Sequence, residues 1–124
     1  MTFSFRRVLQ TLAGHGVEFM VVGGLAGVLQ GAPVNTNDVD ILYSLRSPNP
    51  ERLLAALQAM KAAFRDDPRS LAPNISHLVS RGRKLLTTEY GQLDCLRTIE
   101  ESTTYEDLES DFDIMEFDGI RTEA

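Results

Sequence analysis

Two glycines and two aspartates stand at a spacing that suits the joint binding of a metal ion and a phosphate group. Gly23 and Gly24 follow the mostly apolar run 17–22, and thirteen residues separate Gly24 from Asp38, with Asp40 two residues further on. Alternate side chains of a β-strand share a face, so the two aspartates are predicted to lie side by side. Their repulsion would raise at least one pKa unless a cation lay between them. Because carboxylate oxygens are hard ligands, the pair predicts a Mg²⁺ site, with Mn²⁺ as an alternative.

The glycine pair offers a place where an anion meets the backbone. Gly23 and Gly24 carry no Cβ, so a ligand can approach the main chain closely. A short helix predicted over 24–30 would direct its free N–H groups and its dipole towards that anion. A phosphate beside Mg²⁺ and paired aspartates is the arrangement that nucleotidyl or phosphoryl transfer requires. Taken singly, the glycines also fit an ordinary strand-to-helix turn, and the aspartates an exposed strand end.

Two segments of the chain resemble the polymerase-beta-like nucleotidyltransferase superfamily. Residues 22–24 and 38–41 are similar to its signature, in which a hydrophobic residue and a glycine pair precede an acid-x-acid strand. Within the superfamily, the likeness is to the small GG-type branch, which includes abortive-infection toxins and minimal nucleotidyltransferase-like proteins. Residues 91–96 resemble the later strand that carries the third carboxylate of the family, here Asp94.

The resemblance implies a chemistry and a set of site residues. The implied activity is Mg²⁺-dependent transfer of a nucleoside monophosphate from an NTP to a hydroxyl of an RNA, a protein or a small molecule. The implied catalytic and metal-binding residues are three carboxylates: Asp38, Asp40 and Asp94. The implied nucleotide-binding residues precede them in the chain: Gly23, Gly24 and Thr36. Thr36 would equally fit a turn cap, and Asp94, in an apolar strand, needs either a metal or a basic partner.

Two other functions stay open beside enzymatic transfer. Val34 and Asn37 stand where related proteins often carry basic residues, which favours a catalytically degenerate module that binds a nucleotide or a partner protein. The resemblance also extends to toxin–antitoxin pairs, which implies a cognate toxin or antitoxin protein, or tRNA, as a partner. The basic residues Arg81, Arg83 and Lys84 fit either a solvated hairpin or a contact with a polyanionic acceptor.

Composition narrows the class of protein. With 124 residues, of which 43% are hydrophobic and 24% charged, the chain is expected to form one soluble domain. Its net charge of −6 favours a protein or small-molecule acceptor over RNA, because nucleic-acid binding normally needs a basic surface. A single cysteine, Cys95, and the lack of a secretion signal or membrane span predict a cytoplasmic protein. The resemblance implies one nucleotidyltransferase-like domain over 1–124. Members of the family generally continue into C-terminal helices, so either a truncated or a minimal form is expected.

Hydrophobic periodicity predicts the elements that position these residues. Helices are expected at 5–12, at 24–30 and from Asn49, as N-cap, to Phe64, with a helical turn at 105–108. Strands are expected at 17–22, 39–44, 75–79, 84–87, 92–97 and 112–117, with a hairpin turn at 81–83. This order predicts an α/β (α+β) fold with a small mixed or antiparallel sheet and helices packed on one face. The resemblance further implies the nucleotidyltransferase fold.

Overall fold

The computed structural model describes residues 4–23, 38–100, 102–110, 115–117 and 120–122. Within these residues the helices are α1 Phe5–Gly14, α2 Asn49–Ala59, α3 Ile75–Val79 and α4 Tyr105–Glu109. The strands are β1 Phe19–Val22, β2 Asp38–Tyr43, β3 Ala63–Phe64, β4 Lys84–Thr88, β5 Gly91–Leu96, β6 Thr98–Ile99, β7 Thr103–Thr104, β8 Met115–Phe117 and β9 Ile120–Thr122. No helix in this described part combines the length and apolar character needed to cross a bilayer.

Seven of these strands form one mixed sheet in the order β3-β4-β5-β2-β1-β9-β8, while β6 pairs with β7. The centre of the sheet is β2, which runs antiparallel to β1 and parallel to β5. This pairing places Asp40 opposite Val22 on one side and opposite Asp94 on the other. The structure therefore confirms a mixed sheet within an α and β fold.

The sheet carries an apolar core on each face. In the larger core, Leu12 of α1, Leu57 of α2 and Leu78 of α3 pack with alternate residues of the central strands. Val39 of β2 and Leu93 of β5 are two of these strand residues. On the opposite face, Tyr105 of α4 packs in a smaller core with Met20, Val22, Leu42 and Leu96. Three helices thus share one face, as expected, whereas α4 packs on the other. Because side chains alternate along a strand, the three aspartates lie on the face of the smaller core.

Helix α2 begins and ends differently from its prediction. Its N-cap is Pro48, and the side chain of Asn49 does not cap the helix. That side chain is buried and bridges two segments, accepting from the Glu18 N–H at 2.6 Å and donating to the Ser44 carbonyl at 2.7 Å. At its other end the helix stops at Ala59, since Lys61 adopts a positive φ of 56°. The prediction that the helix continues to Phe64 is wrong, because the chain reverses and Phe64 belongs to β3.

The segment 75–79 is a helix, so its prediction as a strand of a hairpin is wrong. Asn74 starts α3 with a capping box: its side chain accepts from the His77 N–H, and the His77 ring accepts from the Asn74 N–H. This reciprocal cap stabilises a short helix even though Ile75 and Val79 are β-branched. Residues 81–83 consequently connect a helix to β4, and the partners of β4 are β3 and β5.

The remaining predictions match the described residues closely. Helix α1, strands β1, β2, β4 and β5, and helix α4 lie within two residues of their predicted bounds. Strand β8 pairs with β9, with Phe117 opposite Ile120, so that this end of the chain joins the sheet beside β1. The predicted helix at 24–30 and the first residues of the predicted strand at 112–117 lie outside the described residues.

Candidate metal centre

Three carboxylates converge on the face of the smaller core. Asp38 and Asp40 are two residues apart in β2, and the parallel register places Asp94 of β5 opposite Asp40. Each of the three offers one oxygen, and these oxygens all lie within 4.8 Å of one another. Strand alternation aligns the first pair locally, whereas the third carboxylate joins them only through the pairing of β2 with β5. The structure thus brings together three of the residues proposed from the sequence.

The charged form of the Asp40 carboxyl is destabilised by its surroundings. Burial, followed by the charges of Asp38 and Asp94, raises its pKa from the usual 3.8 to about 6, against a smaller opposite effect of Arg83. Its Oδ1 is buried and finds no hydrogen-bond donor among the described residues. A buried carboxylate oxygen without a partner is costly, because it has lost water and gained nothing in return. A cation would relieve both effects.

Gly23 contacts this cluster from the end of β1. Its φ is +71°, a left-handed conformation that side-chain-bearing residues rarely adopt. A Cβ built at this position would collide with Oδ2 of Asp40 and lie 3.3 Å from its Cγ. Glycine is therefore required here both by the backbone and by the approach of the carboxylate. Gly24 and Thr36, the other two residues proposed to bind nucleotide, lie outside the described residues.

Asp94 has two basic partners as well as two acidic neighbours. Nη2 of Arg65 donates to its Oδ1 at 2.6 Å, and Nη2 of Arg83 lies 3.7 Å from its Oδ2. The Arg65 guanidinium also donates to the Leu86 carbonyl at 2.9 Å, which anchors it across β4. Of the two alternatives that the sequence offers for Asp94, a metal or a basic partner, the basic partner is therefore present. Asp94 is also a member of the carboxylate cluster.

Arg65 is the site residue that sequence reasoning missed. It follows the two-residue strand β3, and 29 positions separate it from Asp94. Nothing in its neighbours signals a function, because Asp66 and Asp67 make the segment look like an ordinary exposed turn. Its role depends on the pairing of β3 with β4 and of β4 with β5. These pairings bring Arg65 close enough for its side chain to reach Asp94 across β4.

The donor set fits a hard divalent cation. Three carboxylates and two guanidinium groups leave a formal charge of −1 at the cluster. The oxygen ligands of a single Mg²⁺ lie about 3 to 4.2 Å from one another, since each Mg–O bond is about 2.1 Å. The three oxygens, all within 4.8 Å of one another, would therefore move closer together to bind one ion, with at least two of their three separations at about 3 Å. All potential ligands are oxygens, which favours Mg²⁺ or Mn²⁺ over softer metals.

A cleft of about 370 Å³ opens beside the carboxylates, and we call it the carboxylate cleft. Its lining combines the site residues with apolar and polar groups of the sheet: Val22, Gly23, Asp40, Arg83, Leu96, Thr98, Ile99 and Glu100. A volume of this order lies in the range of about 300–1,000 Å³ that small-molecule sites occupy. Asp40 is thus accessible to a ligand from this cleft.

Lys84 and Cys95 are buried and contribute to the fold of the chain. Lys84 is buried, and its Nζ donates to the carbonyls of Ser80 and Gly82, so it stabilises the turn that precedes β4. Cys95 is completely buried in the larger core, and burial raises the pKa of its thiol far above the ordinary value. A protonated, enclosed thiol is a poor nucleophile.

Comparisons of the chain with protein-family models, with curated proteins and with solved structures find no match. What points to a function is therefore the motif in the sequence and the geometry of the carboxylate cluster.

Proposed function

We propose that this chain is a Mg²⁺-dependent nucleotidyltransferase with the fold of that superfamily, which transfers a nucleoside monophosphate from an NTP to an acceptor hydroxyl. The observation that carries the proposal is the convergence of Asp38, Asp40 and Asp94 to within 4.8 Å, with Asp40 lining an open cleft. Three carboxylates are poorly compatible with one another unless a cation binds them. The left-handed Gly23 against Asp40 supports the same interpretation, because only a residue without a Cβ lets the Asp40 carboxylate take its place in the cluster.

The proposed roles follow from position. Asp38 and Asp40 hold the metal, which when bound supplies charge neutralisation for the phosphates and lowers the pKa of an attacking hydroxyl. Asp94 completes the ligand set and accepts the proton of the acceptor hydroxyl. The acceptor oxygen forms a bond to the α-phosphorus, the bond from that phosphorus to the bridging oxygen breaks, and pyrophosphate leaves with the electron pair.

The two arginines have different proposed tasks. Arg65, whose side chain is 21% exposed, is held by the Leu86 carbonyl and orients Asp94. Arg83, whose side chain is 62% exposed, lines the carboxylate cleft and can turn towards a phosphate. Arg83 is therefore the residue of the basic run 81–84 that we assign to the triphosphate, because a guanidinium matches phosphate oxygens well.

A degenerate binding module is the second candidate function. The observation that favours it is the ion pair of 2.6 Å between Arg65 and Asp94, which already satisfies the third carboxylate without a metal. In that case the cluster would bind a nucleotide or a partner protein without transfer. A toxin–antitoxin role, with tRNA or a protein as acceptor, is compatible with either candidate and rests on the family resemblance.

A labelling experiment tests the proposal directly. Purified protein is incubated with each α-³²P-labelled NTP in turn, with Mg²⁺ or Mn²⁺, and with cell lysate as a pool of acceptors. We expect a labelled product that disappears when EDTA removes the metal and returns when excess Mg²⁺ is added. Binding of an NTP by calorimetry without any labelled product, with either metal, would contradict the enzyme and favour the binding module.

Removal of Arg65 tests whether Asp94 belongs to a metal site. Arg65→Met leaves the buried Asp94 carboxylate with one exposed partner, so we expect the free energy of unfolding to fall by about 2–3 kcal/mol without metal. Because a cation would replace the lost charge, we expect Mg²⁺ to stabilise this variant more than it stabilises the native chain. Urea denaturation with and without Mg²⁺ measures both effects.

The matched control is Arg69→Met. Arg69 also pairs with an aspartate, Asp67, at 3.4 Å, but its side chain is 79% exposed. An exposed pair of this kind contributes at most about 1 kcal/mol, so the control should change stability little and should be stabilised by Mg²⁺ to the same extent as the native chain. Equal stabilisation of both variants by Mg²⁺ would mean that Asp94 is not a ligand.

A further inference from the structure

A second cleft, of about 400 Å³, adjoins the carboxylate cleft, because Thr98 lines both. Its lining residues carry two guanidinium groups and two hydroxyl groups: Arg81, Gly82, Arg97, Thr98 and Ser102. We call it the arginine cleft. The described residues that line it include no carboxylate, in contrast to the carboxylate cleft, which includes Asp40 and Glu100. The two clefts thus differ in the sign of their charge.

The positive charge of the arginine cleft is not compensated within the described part of the chain. Neither Arg81 nor Arg97 forms an ion pair there, whereas five other arginines each lie within 4.0 Å of a carboxylate: Arg46, Arg65, Arg69, Arg83 and Arg121. Arg97 is held in place by the Val79 carbonyl, to which its Nη1 donates at 3.1 Å, and its Nε is buried without a hydrogen-bond partner. An anion would satisfy these groups.

A third cation increases the local positive potential. Lys84 is buried nearby, with its Nζ on the carbonyls of Ser80 and Gly82. Burial lowers the pKa of Lys84, and the charge of Arg97 lowers it further. This effect indicates that the two cations repel each other, and an anion between Arg81 and Arg97 would reduce the repulsion.

The chemistry of the lining favours a phosphate group. A guanidinium donates two parallel hydrogen bonds that match the oxygens of a phosphate, and the hydroxyls of Thr98 and Ser102 are further donors. The volume of about 400 Å³ suits a small molecule. A long polyanion is disfavoured by the net charge of −6, because nucleic-acid binding draws on a wide positive surface.

We infer that the arginine cleft binds the phosphate group of a small phosphorylated acceptor, whose hydroxyl then reaches the carboxylate cleft. That the bound molecule is an acceptor rests on the proposed transferase function, whereas the phosphate site itself does not depend on that function. The shared residue Thr98 places the two clefts side by side, so one molecule can occupy both. Arg81 and Arg97 hold the phosphate, and the free end of the acceptor points towards Asp40.

The test measures phosphate binding without any metal or NTP. Ribose 5-phosphate and ribose are titrated into the purified protein by calorimetry, since they differ only in the phosphomonoester. We expect ribose 5-phosphate to bind at least about tenfold more tightly than ribose, by the charge-assisted hydrogen bonds of the guanidinium groups. Arg97→Gln and Arg81→Gln should each weaken this binding by about tenfold. Arg81 is exposed, so its replacement should leave folding unchanged even if Arg97→Gln disturbs the contact with Val79.

Two control variants show whether the binding is specific to the arginine cleft. Arg6→Gln removes an exposed arginine of α1 and should leave the binding of ribose 5-phosphate unchanged. Arg69→Gln should not weaken it either, because Arg69 pairs with Asp67 and lines neither cleft. Equal affinity for ribose and ribose 5-phosphate, or full binding by the Arg81→Gln variant, would overturn the inference. Markedly tighter binding of a 5′-phosphorylated oligonucleotide than of ribose 5-phosphate would also overturn it and make nucleic acid the occupant.

A Mg²⁺ titration of the same protein distinguishes the two proposals. If the protein binds Mg²⁺ but does not bind ribose 5-phosphate, the phosphate site in the arginine cleft is contradicted and the proposed metal site is not. The reverse result would contradict the metal site while supporting the phosphate site.

Discussion

Asp40→Asn is expected to abolish the proposed metal-dependent transfer and at the same time to stabilise the metal-free protein above pH 6. The expected loss of transfer is roughly 10³-fold, because a central metal ligand contributes several kcal/mol to the stabilisation of the transition state. Asparagine has nearly the same shape as aspartate but carries no charge. The variant therefore removes the repulsion with Asp38 and Asp94 without opening a cavity.

The sign of the stability change follows from the pKa of Asp40. Folding raises that pKa from 3.8 to about 6, so between these values the folded protein binds more protons than the unfolded chain. The stability of the native protein therefore falls as pH rises from about 4 to about 6. The shift corresponds to about 3 kcal/mol, which solvent screening of this partly exposed group reduces to about 1–2 kcal/mol. Asp40→Asn should recover this amount above pH 6 and almost nothing below pH 4.

Denaturant unfolding at several pH values, with EDTA present, measures this effect, and a transfer assay measures the loss of activity. Asp67→Asn is the matched control, because it removes the same charge from a carboxylate whose pKa is lowered by the Arg69 backbone N–H. That variant should not gain stability at neutral pH. If Asp40→Asn destabilised the metal-free protein at pH 8, the carboxylates would not repel one another as proposed.

Gly23→Ala is expected to damage both folding and the metal site. At φ +71° an alanine is strained by about 1–2 kcal/mol, and its Cβ would also collide with the Asp40 carboxylate. We expect the free energy of unfolding to fall by about 2–3 kcal/mol in total. Displacement of Asp40 should also weaken Mg²⁺ binding by at least about tenfold, since ligand positions must be held within about 0.5 Å.

Gly16→Ala separates the backbone strain from the collision. Gly16 has nearly the same φ, +72°, but the nearest atom to its Cβ would be a flexible Arg52 side-chain carbon at 3.7 Å. This variant should show the strain alone and retain full Mg²⁺ binding. The comparison uses thermal unfolding together with Mg²⁺ titration. Equal Mg²⁺ affinity of the Gly23→Ala and Gly16→Ala variants would contradict a role for Gly23 in the site.

The errors in the predicted fold have specific physical origins. The segment 75–79 alternates like a strand, but the reciprocal hydrogen bonds between Asn74 and His77 cap its first turn and make a helix the better local structure. Phe64 continues the apolar stripe of helix α2, which is why the sequence predicts that the helix reaches it. The left-handed Lys61 reverses the chain instead, so that Phe64 packs from β3 on the larger core.

The candidate site was predictable where it depends on neighbouring residues in the chain. The alternation of side chains along β2 places Asp38 and Asp40 together whatever the rest of the fold does. The family resemblance, and not local geometry, predicts Asp94 as the third carboxylate. Its position next to Asp40 depends on the parallel register of β5 with β2. The arginine cleft was only indicated by the basic run 81–84, from which the structure assigns Arg81 and Arg83 to different clefts and buries Lys84.

Local chain geometry thus accounts for the paired aspartates and for strands β1, β2, β4 and β5, because each depends on residues a few positions apart. The partners of Asp94 could not be found in this way. Arg65 meets it across 29 positions, through the pairing of β3, β4 and β5, and no local pattern encodes which strands pair. Long-range pairing also sets the balance of three carboxylates against two guanidinium groups, and with it the net charge that a cation would meet at the site.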